Sequence, residues 1–184
     1  MSRAIRTKQF TDAVTKQWDK KCVSFFEENM YKPLNWEEVS FNPRITWYFV
    51  SENLDKKWHW GGLSSNPSIS FDNIKENLGY PWDWERLSVS DKITWDIVKN
   101  NLDLPWKWGQ LSENSNITWD IIKANLDKPW NFYKFISYNS NVNSVVLLNV
   151  IRATPDYPWD WGSNGLSYDI NTTWQIVEEN KDKP

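Results

Sequence analysis

Residues 93–130 read ITWDIVKNNLDLPWKWGQLSENSN followed by ITWDIIKANLDKPW, one 24-residue unit and the start of its near copy. Internal periodicity of this length is the signature of a stacked repeat architecture, and it decides the fold before any local propensity does. Outward from this stretch, Ile45, Ile69, Ile93 and Ile117 recur every 24 residues. Units begin at Lys21, Ile45, Ile69, Ile93 and Ile117. After a shift of five residues another begins near Val146, and a half unit runs from Thr172 to Pro184. Of the 15 tryptophans, only Trp18 falls outside three repeat positions. The third position holds Trp47, Trp95, Trp119 and Trp174. The fourteenth holds Trp58, Trp82, Trp106, Trp130 and Trp159, and the sixteenth holds Trp36, Trp60, Trp84, Trp108 and Trp161.

The first half of the unit reads as a short helix. Ser70, Thr94 and Thr118 stand where an N-cap belongs. Asp72, Asp96 and Asp120 follow in the first turn, at the positive end of the dipole. Lys75, Lys99 and Lys123 come three residues later, within pairing distance. Trp95, Ile97, Val98 and Leu102 share one broad face. The asparagines at the ninth position (Asn53, Asn77, Asn101, Asn125) suit a left-handed helix stop. The leucines after them (Leu54, Leu78, Leu102, Leu126) suit the apolar contact that closes it. A second helix is expected to open at Asp103-Leu104-Pro105, with the aspartate as cap and the proline in the first turn, and to carry Trp106, Trp108 and Leu111. The alternating W-x-W pattern is the rival, strand-like reading.

Helices of about two turns are unstable alone in water. Stacking must supply what one unit lacks, so the expected class is all-α, an α-solenoid of stacked short helix pairs. Its structural core is expected to contain Trp47, Trp58, Trp60, Trp82, Trp84, Trp95, Trp106, Trp108, Trp119, Trp130, Trp159 and Trp161. An exposed aromatic ladder, able to stack sugars or bases, is the alternative use of these rings. Residues 1–20 are expected to form a capping helix, with Phe10, Val14 and Trp18 four apart, and a basic arm. Residues 21–184 form the repeat domain. At its far end, Glu178 to Lys183 reads as a polar cap. The pattern breaks at the Asn/Ser-rich segment 137–144, with an irregular insertion at 141–145 and an aliphatic helix over Val145–Ala153 in which Leu148 replaces tryptophan. A tolerated loop or an interaction surface near residues 137–168 would each explain the break.

Chemistry is sparse. The one histidine, His59, occupies a slot filled elsewhere by Asn35, Asp83, Lys107, Asn131 and Asp160, which suits solvent rather than catalysis. No Cys/His cluster, phosphate loop or dinucleotide fingerprint is present. The aspartates sit at caps and first turns. No catalytic, cofactor-binding or metal-binding residue is therefore expected, and no cofactor. A single cysteine, Cys22, excludes an internal disulfide framework and suits a reducing compartment. Lys and Arg total 21 against 24 Asp and Glu, a net charge of -3. That balance argues against nucleic acid as the main partner, although residues 1–21 are basic on an otherwise acidic chain. No apolar run approaches the roughly 20 residues needed to span a bilayer, and Met1–Phe10 lacks a secretory apolar region.

The run Ile93–Trp130 resembles the tandem tryptophan-rich repeats of proteins encoded by large nucleocytoplasmic DNA viruses, such as mimivirus, marseillevirus and iridovirus relatives. The likeness covers Lys21 to Pro184 and departs at Lys57, where proline is usual, and at the insertion. It implies a viral protein in infected-cell cytoplasm, in the virion, or both, and carries over no catalytic residue. The expected function is a non-enzymatic structural or protein-interaction scaffold, with a minor virion or capsid-associated component as one form. A soluble effector binding a host protein is the alternative. A nucleic-acid or glycan binder using the basic front or exposed tryptophans is weaker. The expected partner is a protein, viral or host; the oligomeric state is left open.

Overall fold

The structure, a computed structural model, describes residues 21, 24–25, 28–29, 34–162 and 165–183. The expected capping helix and basic arm over residues 1–20 lie outside the described residues, as does Cys22. The protein is all-α: short helices and one 3-10 turn are the only regular elements among the described residues, and no strand occurs there. The W-x-W alternation therefore does not signal a sheet.

The chain divides into two compact units, one up to Asp83 and one from Trp84. The first contains α1 (Trp36–Phe41), α2 (Trp47–Ser51), α3 (Trp60–Ser65) and α4 (Phe71–Lys75). The second contains α5 (Trp84–Val89), α6 (Trp95–Lys99), α7 (Trp108–Glu113), α8 (Trp119–Lys123), α9 (Phe132–Tyr138), α10 (Ser144–Ala153), the 3-10 turn Leu166–Tyr168 and α11 (Trp174–Glu179). Helices of like type meet across successive repeats: α1 packs on α3 in the first unit, and α5 on α7, α7 on α9 and α8 on α10 in the second.

First-half helices are five or six residues long, apart from α10, and start where local sequence starts them. Thr46, Ser70 and Thr94 accept from the third helical N–H of α2, α4 and α6, and Ser70 with Asn73 closes a full capping box. These bonds satisfy donors that a helix start leaves orphaned. Of the expected Asp–Lys pairs, Asp96–Lys99 closes at 2.6 Å. Ile45, Ile69, Ile93 and Ile117 are buried, as are Val50, Ile74, Val98 and Ile122, each five residues on.

Three local expectations are corrected. The second helix does not begin at the aspartate and proline. It begins two residues after the fourteenth-position tryptophan, as at Trp60, Trp84 and Trp108, with Asn35, His59 and Asn131 capping α1, α3 and α9. Pro105 lies in the connection, where it disfavours helix at Leu104, and Trp106 sits on non-helical backbone with its N–H turned to Leu104 O at 2.8 Å. Nor does the ninth-position asparagine end the helix in left-handed conformation, since no described residue has positive φ. Its side-chain amide instead donates to the carbonyl four residues back: Asn53 to Phe49, Asn77 to Asn73, Asn101 to Ile97 and Asn125 to Ile121, at 2.7–2.9 Å. An orphan carbonyl of the last turn is thereby satisfied without αL geometry. Because no such stop forms, the leucines that follow are not tucked under it; Leu54, Leu78, Leu102 and Leu126 stand partly exposed.

The irregular segment is absorbed by helices. Asn139 takes up the hydrogen bonds that Asn114 makes one repeat earlier, and Val142 N donates to Asn139 O as Ile117 N does to Asn114 O. The register thus resumes at Val142 rather than Val146. One extra residue lengthens α9, and the rest add about a turn to α10, which runs ten residues. Residues 141–145 are not spare: Asn143 caps α10, and Asn141 donates to Ser115 O at 2.7 Å.

Two glycines separate close packing from open surface. A Cβ at Gly62 would lie 2.9 Å from Ser40 Cβ and 3.1 Å from the Phe41 ring, whereas one at Gly109 would meet nothing nearer than 3.8 Å. Gly62→Ala is expected to lower stability by about 1–2 kcal/mol, as overpacking outweighs the gain in helix propensity. Gly109→Ala is expected to raise it by about 0.5–1 kcal/mol. Urea midpoints of the two variants moving the same way would contradict this.

Candidate interaction surface

The three tryptophan positions have three different fates. The fourteenth is the core: Trp58, Trp82, Trp106, Trp130 and Trp159 are all buried, at 5–9% exposure. Each indole N–H donates to the carbonyl five residues earlier, to Asn53, Asn77, Asn101, Asn125 and Thr154. The ninth-position asparagine therefore does two things: its side chain closes the helix, and its backbone oxygen takes the indole proton. Thr154 does both in its place, with its hydroxyl donating to Val150 O at 2.7 Å.

The sixteenth position (Trp60, Trp84, Trp108, Trp161) is half-buried. Four sixteenth-position rings meet the fourteenth-position ring of the next repeat edge to face: Trp36 with Trp58, Trp60 with Trp82, Trp84 with Trp106 and Trp108 with Trp130, at 4.9–5.1 Å. Such T-shaped pairs add to area burial through the ring quadrupole. At the third position Trp119 is buried, Trp47 and Trp95 are half-buried, and Trp174 is 76% exposed. Trp47 and Trp95 reach Trp82 and Trp130 at 5.5 and 6.0 Å. All twelve expected rings pack partly or wholly inside.

A second set of contacts, absent from the sequence expectations, joins the same repeats through polar atoms. The hydroxyls of Ser40, Ser64, Ser88 and Ser112 accept the backbone N–H of His59, Asp83, Lys107 and Asn131, each 19 residues on, at 2.9–3.0 Å. The Asn66 amide donates to Ser40 O, Asn42 O and Ile45 O. Asn114 does the same to Ser88, Ser90 and Ile93, and Asn139 to Ser112, Asn114 and Ile117. These serines and asparagines are buried, and no buried side-chain polar atom among the described residues lacks a partner. The signal was present as serine and asparagine recurring at the twentieth and twenty-second positions. Both residue types also mark turns, and only the neighbouring repeat tells a clasp from a turn. At Asp169, in the asparagine's slot, a carboxylate cannot donate to carbonyls; it keeps only the contact that Asn66, Asn114 and Asn139 also make through Oδ1, accepting from the N–H two residues on, here Asn171 N.

The candidate chemistry resolves into structural work. His59 Nδ1 accepts from Gly62 N–H at 2.9 Å as the cap of α3. Among the described residues no group of three His, Cys, Asp or Glu side chains could hold a metal, and no helix is long and apolar enough to cross a membrane. Salt bridges with Lys56 and Lys128 hold the Asp55 and Asp127 carboxyls below the usual carboxylate range.

At Lys92, burial pushes the amine down to about 8. Between that value and the unfolded one near 10.4, the unfolded chain binds more protons, so stability rises with pH. Folding stability is expected to increase from pH 7.5 to 10 through this group. In Lys92→Met this rise should be absent, so the gap in stability between variant and parent should change across that pH range. A gap independent of pH would refute the assignment.

What remains outside is variable. The eighth position, exposed in four successive repeats, carries Glu52, Glu76, Asn100 and Ala124, and the exposed large apolar residues include Tyr48, Leu54 and Leu78 in the first unit and Leu102, Leu126 and Tyr138 in the second. Comparison with known proteins finds no matching family model, no matching curated protein and no matching solved structure.

Proposed function

We propose that the chain is a non-enzymatic protein-interaction scaffold, with its helix pairs stacked in solenoid fashion within each unit. The observation that carries this reading is the division of labour along the repeat. Indoles, serines and asparagines at fixed positions are spent on joining one repeat to the next, while the outward slots change charge and size freely. A constant frame bearing a variable surface suits recognition of another macromolecule, because the surface can be altered without touching the fold. The residues with chemical potential are occupied: His59 caps a helix, and Asp72, Asp96 and Asp120 sit in first turns.

The resemblance to viral tryptophan-rich repeats gives the scaffold its setting, a virus-encoded protein in the infected cell and in one form a minor component of the particle. The acidic balance favours a protein partner over nucleic acid. The test is affinity capture with the full chain from infected cells, set beside the protein inventory of purified particles. The scaffold reading expects a reproducible stoichiometric protein partner, and the virion form expects the chain itself in the particle. One host protein captured without capsid proteins would move the assignment to the effector. Turnover of any substrate by the purified chain would overturn the reading.

A further inference from the structure

Successive repeats of the second unit are fastened by recurring bonds. Ser112 Oγ accepts the Asn131 N–H at 3.0 Å, the Asn139 amide spans Ser112 O, Asn114 O and Ile117 O, and the Asn141 amide reaches Ser115 O at 2.7 Å. At the next joint, between α9 and the segment from Asp160 to Thr172, these fasteners are missing. The extra residue of α9 leaves Ile136 buried and Ser137 exposed, so no hydroxyl meets the Asp160 N–H. Asp169 stands in the clasp slot and has no amide to donate. Asn171 stands in the slot of Asn141, and among the described residues its amide reaches no carbonyl of the preceding repeat. The ring contact is looser too. Phe132 replaces tryptophan and meets Trp159 at 6.4 Å and 54°, against 4.9 Å and 87° for Trp108 on Trp130. A cavity of about 150 Å³ lies in the joint, lined in part by Ile136, Ser137, Trp159 and Asp169. Among the described residues, one ion pair supplies the only hydrogen bonds from residues 160–183 to the chain before them. In it Arg152 Nε donates to Glu179 Oε2 at 3.0 Å, and Nη2 donates to Oε1 at 2.5 Å.

We propose that the body formed by residues 160–162 and 165–183 is a hinged flap, which opens from α9 and α10 as one piece about the connection 155–159 and is latched by Arg152–Glu179. Each side of the hinge holds together by itself. Within the flap, Leu166 N donates to Asp160 O, and the hydroxyls of Ser167 and Thr172 donate to Trp161 O and Leu166 O. Across the hinge, α10 packs on α8, with Leu147 and Val150 fully buried and Asn143 capping its start. Burial of Leu166 and Ile176 keeps the flap closed at rest. Its release is a local opening drawn from the low end of the stability range, because the joint lacks the polar fasteners that tie the other repeats together. The latch is exposed on both partners, so salt screens it. Ionic strength thereby sets how often the face of α9 around Ile136 and Ser137 is uncovered. The device goes beyond the scaffold reading and stands without it.

Amide hydrogen exchange of the full chain, read by mass spectrometry, tests this. Amides of the 3-10 turn and of α11 are expected to share one protection value, at least about tenfold below that of α7 to α9. Arg152→Gln should lower that shared value by up to about fivefold and leave α7 to α9 unchanged. Raising salt from about 20 mM to about 0.5 M should do the same to the parent and nothing further to Arg152→Gln. Asp169→Asn restores an amide to the clasp slot and should raise the shared value about tenfold. Protection equal to that of α7 to α9 overturns the proposal. So does a graded fall along α11 with the 3-10 turn unaffected, which is fraying and not the release of a body. An Asp169→Asn chain with unchanged protection, or a salt effect that survives in Arg152→Gln, overturns it as well.

Discussion

Replacing Trp106 by alanine is expected to destabilise the second unit by about 3–5 kcal/mol, the range for removing a large buried aromatic. Several losses coincide. The ring is buried, it packs edge-on to Trp84 at 5.1 Å, and its N–H to Asn101 O at 2.8 Å is lost. Asn101 O keeps one donor, Leu104 N at 3.2 Å, so the carbonyl is not orphaned. Most of the penalty is therefore packing, and Trp106→Phe should cost only about 1–2 kcal/mol. Trp174→Ala serves as the internal contrast. Its indole is 76% exposed, so the change should stay within about 0.5 kcal/mol. Urea denaturation of the three variants, followed by circular dichroism, checks the order. A Trp174→Ala variant as unstable as Trp106→Ala would mean that the fourteenth position is not the core. Against a total stability of roughly 5–15 kcal/mol, the expected loss at Trp106 is enough to leave the second unit marginal.

The change with the greatest effect per atom is Asn114→Asp. The two side chains are nearly isosteric, but the amide nitrogen faces Ser88 O, Ser90 O and Ile93 O at 2.9, 3.0 and 3.2 Å. A carboxylate there loses every donor and points negative charge at three carbonyl oxygens in a fully buried position. Broken buried hydrogen bonds and an unpaired buried charge each cost several kcal/mol, so about 4–6 kcal/mol is expected at pH 7. The folded state raises the new carboxyl's pKa, because desolvation and carbonyl dipoles both disfavour the anion. Below that raised value the group is neutral and can donate again. Stability of the variant should therefore recover relative to the parent as pH falls from 7 towards 5. A pH-independent deficit, or one below about 1 kcal/mol, would show that the three contacts contribute little. Asp169 is the natural version of this change. It retains the acceptor contact that the clasping asparagines also make and has no amide to donate, and a cavity of about 150 Å³ lies between Ile136, Trp159 and Asp169.

Much of the local structure was legible because it depends on residues close in sequence. The Thr and Ser caps of α2, α4 and α6, the first-turn aspartates and the buried isoleucines all follow from spacing within one repeat. The failures share one cause as well. Whether Asn101 closes its helix by backbone twist or by its side chain depends on what its carbonyl must receive, and that is the ring of Trp106 across the connection. Whether Ser112 and Asn114 form a turn or a clasp depends on Asn131 N and on the carbonyls of Ser88, Ser90 and Ile93. The extra residues after Ile117 looked like a loop because Asn and Ser are common in loops. Asn139 and Asn143 in fact restart the clasp and cap α10.

The 24-residue period, the all-α class and the starts of the first-half helices were thus decided by the amino-acid sequence alone, through caps and periodicity acting over a few residues. Which of three tryptophan positions is the core, where the second helix begins, and which polar side chains bind one repeat to the next were decided only by tertiary structure. The reason is physical. Burial and hydrogen-bond partnership are set by atoms contributed 19 to 27 residues away, and identical side chains take different roles according to what that neighbour presents.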